Sequence, residues 1–258
     1  MTKTLKISYI QTQLTWEDPK ANKAHFEQKL SECPADTDVI ILPEMFTTGF
    51  SMNAKDNAEQ AEDVLRWMKA QSKIYDVALT GSAMIKEDST YYNRMFFVSP
   101  DERVFYYDKK HLFTLAGEHK IYTPGTERCI VPYKGWKLCL QVCYDLRFPV
   151  WARSKDDYDV LLYVANWPKK RVAAWDILLK ARAVENMSYC IGLNIIGTDG
   201  NNLPYVGHSA AYDALGASLS KHHPEAEVIE TIELNKPKLY ALREELGFLK
   251  DRDDFSIN

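Results

Sequence analysis

The chain has no run approaching the roughly 20 apolar residues that cross a bilayer, so no membrane partner is expected. Its opening residues, Met1-Thr2-Lys3-Thr4-Leu5-Lys6, lack the apolar core of a signal peptide, and a cytoplasmic protein is expected. A basic excess is also missing, since 32 Lys and Arg face 36 Asp and Glu for a formal net charge of -4. Without surplus cations to hold phosphates, nucleic acid is not an expected partner. Cysteine is sparse: five residues, an odd number, in a chain long enough to bury a core without staples. Reduced thiols are expected rather than a disulfide framework. No His or Cys pair near Cys139 and Cys143 completes a zinc set, so no metal site is expected. Low-complexity linkers and repeats of solenoid period are absent too. Residues 1–258 therefore read as a single domain, with a C-terminal tail from about residue 247.

What is present is ordinary globular usage, 46% hydrophobic and 26% charged. Residues 6–10 read as a first strand. Asp18-Pro19 then starts a helix running to about Leu30, with Asp at the cap and Pro at the first helical position. Val39-Ile40-Ile41-Leu42 and Val160-Leu161-Leu162-Tyr163-Val164 are continuous apolar runs, the mark of strands covered on both faces. Each follows an Asp and ends in polar groups, a hint of internal pseudo-symmetry. Residues 57–71 carry Ala61, Val64, Leu65 and Met68 at helical spacing, with Glu62 and Arg66 placed as an i,i+4 pair. Further strands are expected at 77–83, 91–98, 104–107, 136–142, 190–196, 207–212 and 227–234, and helices at 147–155, 171–187 and 237–246. Residues 108–127 form a long loop, a feature that in compact domains is usually functional.

The strand at 136–142 stops at Cys143, followed at once by Tyr144, Asp145, Leu146 and Arg147. A free cysteine among Leu and Val is most often a small core hydrophobe; at a strand end it is also well mounted to act as a nucleophile. A thiol with an ordinary pKa near 8.5 is mostly protonated at neutral pH and needs a base or a cation. Six histidines are available, but the papain-type signature is absent around Cys143. Glu44, after an apolar strand and a proline, reads equally as a desolvated general base or as a solvated loop acid. Lys109 and Lys110 open the long loop; a lysine there would favour thiolate and hold an oxyanion, although paired lysines usually mean a wet surface.

Three segments, Leu42-Pro43-Glu44-Met45-Phe46, Asp108-Lys109-Lys110-His111-Leu112-Phe113 and Val142-Cys143-Tyr144-Asp145-Leu146-Arg147-Phe148-Pro149, stand in one order. In that order they resemble the nitrilase superfamily of carbon-nitrogen hydrolases, over nearly the whole chain. The resemblance implies an α/β four-layer α-β-β-α sandwich, no metal or organic cofactor, and a homodimer paired through helices near the nucleophile. It implies Glu44 as general base, Cys143 as nucleophile, Lys109 rather than Lys110 as the lysine, and Glu118 as the carboxylate that positions it. The Tyr144 N–H would complete the oxyanion site. Arg147 matches an arginine that meets a substrate carboxylate in related amidases, with a loop-pinning salt bridge as its other reading. Arg171 is the second choice of cation, and Phe46, Tyr144 and Trp167 are candidate apolar walls.

Val164-Ala165-Asn166-Trp167-Pro168 and Asn186 are similar to a bacterial branch of omega-amidases. That likeness implies a small amide substrate: short α-keto acid monoamides such as 2-oxoglutaramate and 2-oxosuccinamate. One departure is Asn194-Ile195, where Asn-Arg is expected. Nitrile hydrolysis, carbamoyl-amine cleavage and a non-catalytic scaffold remain open alternatives. The tail, with Phe248 and Phe255, is placed to cross to a partner.

Overall fold

A computed structural model describes residues 3–155 and 158–256. Met1 and Thr2, and the last two residues of the expected domain and tail, Ile257 and Asn258, lie outside the described residues. The first half of the chain runs β1 (Thr4–Gln11), α1 (Pro19–Glu32), β2 (Val39–Ile41), α2 (Ala54–Asn57), β3 (Glu59–Gln60), α3 (Ala61–Tyr75), β4 (Ala78–Glu87), β5 (Thr90–Val98) and β6 (Val104–Asp108). After two single 3-10 turns come β7 (Ile130–Tyr133), β8 (Trp136–Val142), α4 (Pro149–Ala152), β9 (Val160–Ala165), α5 (Val172–Glu185) and β10 (Tyr189–Asn194). The chain closes with β11 (Ile196–Thr198), β12 (Pro204–Val206), β13 (Ala210–Tyr212), β14 (Val228–Asn235) and α6 (Lys236–Leu246).

One large sheet has the order β14-β1-β2-β4-β5-β6 with β3 on β4, the other β13-β10-β9-β8-β7, and β11 pairs with β12 in a small two-stranded sheet. Both large sheets are built around three parallel strands, β1-β2-β4 and β8-β9-β10, flanked by antiparallel ones. The pseudo-symmetry hinted at in the sequence is this shared pattern. Side chains alternate along each strand. Leu5, Ile7, Val39 and Ile41 meet Leu138, Leu140, Val160 and Leu162 between the sheets. Ile10, Ile40 and Leu42 face outward onto Phe26 and Leu30 of α1 and Val64 and Met68 of α3. Leu161, Tyr163 and Ala165 face outward onto Trp175, Leu179 and Ala183 of α5. The result is the expected α-β-β-α sandwich. Gly192 of β10 is required by the closeness of α5, because a Cβ there would lie 2.5 Å from the Leu179 side chain.

Asp18 caps α1 as expected, accepting from the Ala21 N–H at 2.9 Å. The helix expected at 57–71 begins later, at Ala61, because residues 54–57 close their own turn and Glu59–Gln60 pairs with Ile85 and Lys86. Arg66 pairs with Asp63 at 2.8 Å, one residue from the predicted Glu62. The described tail lies along its own chain, with the Lys155 ammonium 4.4 Å from the centre of the Phe255 ring. Among the described residues no helix is long and apolar enough to cross a membrane.

Candidate active site

The carboxyl ends of the strands bring the three motif segments together. Glu44 follows β2 and is wholly buried. Its Oε1 accepts from Lys109 Nζ at 2.9 Å and Asn93 Nδ2 at 2.8 Å. Its Oε2 accepts from the Asn166 N–H at 2.7 Å. Asn166 Nδ2 holds the Glu44 carbonyl at 2.7 Å. The solvated-acid reading is therefore closed, and the carboxylate is fixed by donors from β5, the lysine loop and the end of β9.

Lys109, directly after β6, is equally buried, and its Nζ also reaches both oxygens of Glu118 at 2.9 and 3.0 Å. Burial works against its charge, yet the Glu118 and Glu44 carboxylates and the Cys143 sulfur outweigh it and raise the lysine pKa above its ordinary value. Glu118 is pushed above the usual carboxylate range, chiefly by burial; Lys109 opposes that and Glu44 reinforces it. The Phe113 N–H and Asn93 Nδ2 also donate to Glu118. Gly125 lets the loop close over the lysine backbone: its N–H meets Lys109 O at 3.0 Å, and a Cβ would lie 2.1 Å from Asp108 O. Lys110, by contrast, turns to Trp151, its ammonium 5.2 Å from the ring centre.

Cys143 directly follows β8 at φ 45°, a left-handed conformation that a non-glycine residue adopts only under constraint. The residue is half-buried. Burial first, then the Glu44 carboxylate, holds the pKa well above the ordinary thiol value, while Lys109 pulls it down. Asp145 fixes this turn. Its Oδ2 accepts from the Val142 N–H at 3.0 Å and Tyr107 Oη at 2.8 Å, and its Oδ1 from the His111 N–H at 2.9 Å. One buried carboxylate thus ties the cysteine turn to the lysine loop. Behind it, Arg182 of α5 donates to Leu146 O at 2.6 Å.

Above the cysteine lies a cavity of about 490 Å³. Cys143, Tyr144, Arg147, Asn166, Trp167 and Arg171 line it, with Trp16, Phe50, Phe113 and Tyr205 as further aromatic walls. Phe46 does not reach it: in the turn after β2 its ring packs 5.7 Å from Phe26 and 5.6 Å from Trp67, so it is core. Phe50, four residues on, takes the place predicted for it. No histidine lines the cavity among the described residues; His111 instead stacks on Phe148 at 3.7 Å. No group of three or more His, Cys, Asp or Glu among the described residues is placed to hold a metal ion. The Arg147 guanidinium lies 5.0 Å from the Trp167 ring and makes no ion pair among the described residues, so the loop-pinning salt bridge is not formed. Ile195, where arginine was expected, is buried beside Ile10 and Tyr205.

Sequence reasoning missed Asn93 and gave Asp145 no role. Asp145 stood inside the quoted cysteine motif, whereas nothing local marks Asn93, whose partners lie 49 and 25 residues away.

A strand-end cysteine held against a buried glutamate and lysine in a sandwich of this topology defines a hydrolase of the nitrilase superfamily, and residues 6–244 match the carbon-nitrogen hydrolase family, to which this chain belongs. Within the superfamily the chain is omega-amidase-like. It is 44% identical over 254 residues to omega-amidase YafV of Yersinia enterocolitica, covering 98% of this chain and 99% of the relative. It is 30% identical to a 2-oxoglutaramate amidase of Bacillus subtilis, with 95% and 96% covered. A Xanthomonas campestris CN-hydrolase superfamily protein, solved with an arsenic adduct in its active site, superposes with a TM-score of 0.96 at 37% identity, covering all of both chains.

Proposed function

We propose that the protein hydrolyses the distal amide of short α-keto dicarboxylic acid monoamides, with 2-oxoglutaramate and 2-oxosuccinamate as substrates, to the acid and ammonia. The observation that carries this reading is the buried Glu44–Lys109–Glu118 cluster under Cys143, opening into a cavity whose guanidiniums, Arg147 and Arg171, lack ion pairs among the described residues. The first suits attack on an amide, the second a small anion. Relatives named omega-amidase and 2-oxoglutaramate amidase support the same substrate class.

In the proposed mechanism Glu44 takes the thiol proton as sulfur bonds to the amide carbon. Because the resting thiol is neutral, that transfer accompanies attack. Lys109 and the Tyr144 N–H hold the oxyanion, with Glu118 keeping the ammonium in place. Collapse breaks the C–N bond, and Glu44 returns the proton to departing ammonia, leaving a thioester. Glu44 then deprotonates water, which attacks the thioester; the acid leaves and the thiol is restored.

A single cytoplasmic domain acting as a homodimer completes the proposal. Exposed Ile177 and Val184, 68% and 46% accessible, lie on α5 behind the cysteine turn, where a second copy would cover them. The test is ammonia release over a panel of short amides, nitriles and carbamoyl amines, with Cys143→Ala as control. Preference for 2-oxo monoamides is expected; nitrile or carbamoyl-amine preference would replace the substrate assignment, and no turnover of any member would return the scaffold reading.

A further inference from the structure

β8 and β9 run side by side, with Val142 paired to Val164, and both open onto the cavity floor; Cys143 directly follows the first strand and Asn166 the second. Asn166 lines the cavity although it is only 4% exposed. Its donors are spent on Glu44. The backbone N–H reaches Oε2 at 2.7 Å, and Nδ2 reaches the Glu44 carbonyl at 2.7 Å and Oε2 at 3.4 Å. These contacts fix which way the side-chain amide faces, because the Glu44 oxygens accept and only an NH2 end can sit against them. Oδ1 is thereby turned away from Glu44. No group among the described residues donates to it, and it is not sealed in the core, so this acceptor is left for the cavity.

A scissile amide makes two demands on the leaving-group side of the floor. Its nitrogen carries N–H donors that need an acceptor once water is displaced. In the tetrahedral intermediate the nitrogen lone pair must also face Glu44, which returns the proton as the C–N bonding pair passes to nitrogen and ammonia departs. Lys109, Arg147 and Arg171 offer only donors. Glu17 and Asp199 line the same cavity, but Glu17 is held by Ser51 and Asn53, and Asp199 closes its own turn through the N–H groups of Asn201 and Leu203. Asn166 is the lining residue that is bonded to the general base itself. We infer that Asn166 Oδ1 accepts an N–H of the scissile amide, turns the nitrogen lone pair towards Glu44, and so selects N–H-bearing amides over esters, which offer no donor there. This rests on the amide-hydrolase reading proposed above and adds to it the residue that handles the leaving group.

The experiment compares kcat/KM for 2-oxoglutaramate and for the matching distal methyl ester in wild type, Asn166→Ala, Asn166→Asp and Asn93→Ala. Both rates come from one protein, so loss of folded protein cancels from their ratio. Asn166→Ala should cut the amide-to-ester ratio by about tenfold or more. Asn166→Asp, which keeps an oxygen on the cavity side, should lower both rates and retain more of the ratio. Asn93→Ala, which loosens Glu44 from its other side, should change the ratio less than Asn166→Ala. In parallel, calorimetry on Cys143→Ala protein compares 2-oxoglutaramate with 2,5-dioxohexanoate, in which a methyl group replaces the NH2. The amide should bind about tenfold more tightly, and adding Asn166→Ala should remove that preference. An unchanged ratio in Asn166→Ala, an equal fall in Asn93→Ala, or an amide preference that survives Asn166→Ala would overturn the inference. Wild-type preference for a different short amide would overturn the 2-oxo assignment alone, and the same comparison made with that amide and its ester then decides the inference. No turnover of any amide would overturn both.

Discussion

On the cavity floor, Glu44, Lys109 and Glu118 are sealed from solvent and every charge is answered by a neighbour within about 3 Å. On the wall, Arg147 and Arg171 rest against aromatic faces and no carboxylate answers either charge among the described residues. Burying the floor charges is tolerable because they are mutually paired. The wall charges stay unpaired because solvent reaches them. The floor is thus organised without a ligand, whereas in the proposed function an anionic substrate would complete the wall. In the proposed function, chemistry falls to the first and binding of the substrate anion to the second.

The comparison breaks most visibly at the nucleophile. Cys143→Ala should lower kcat in an ammonia-release assay by about 10⁴-fold or more while leaving the melting temperature near that of wild type. Next comes the lysine. Lys109→Ala should abolish turnover and, by leaving two buried carboxylates facing each other, cost about 3–5 kcal/mol in a denaturant titration. Lys110→Ala should largely spare both, and the reverse result would move the oxyanion cation to the neighbouring residue.

Asp145→Asn sharpens the boundary between floor and turn. The new amide sets a donor against the N–H and O–H groups that Asp145 now accepts. A loss of about 1–3 kcal/mol in stability is expected together with a lower kcat. Lower stability with unchanged kcat would make Asp145 structural only. On the wall, Arg147→Lys should raise KM more than it lowers kcat or the melting temperature; unchanged kinetics would remove Arg147 from the substrate site.

The smallest effect is in thiol reactivity. Burial and the Glu44 carboxylate disfavour the thiolate and Lys109 favours it. Alkylation of Cys143 by iodoacetamide should therefore stay slow through the ordinary thiol range and accelerate only at higher pH. In Lys109→Ala the rise should move further up; a shift downward would contradict the role assigned to the ammonium.

Much of this was legible in the sequence because its signals are local. The β8 strand was bounded at both ends by its pattern, and Asp18-Pro19 marked a helix start. The motif segments carried Glu44, Lys109 and Cys143, which the fold brings together. Phe46 misled because it lies in the turn after β2, where no periodicity says which side a ring faces; there it packs against Phe26 and Trp67. Glu62 was chosen by i,i+4 spacing, but Arg66 found Asp63 one turn back. The short β7 was missed because Pro132 interrupts its apolar pattern, although Ile130–Tyr133 pairs with β8 as an edge strand. Asn93 bridges Glu44 and Glu118 only after three strands have assembled, and no spacing rule announces that.

The central claim, covalent attack by Cys143 prepared by the buried floor, is tested most directly by mass spectrometry of protein acid-quenched during turnover of 2-oxoglutaramate. The account predicts that the peptide containing Cys143 gains the mass of the substrate less ammonia, and that Cys143→Ala protein gains nothing. Steady ammonia release from Cys143→Ala protein at the wild-type rate, with no adduct on either, would contradict it.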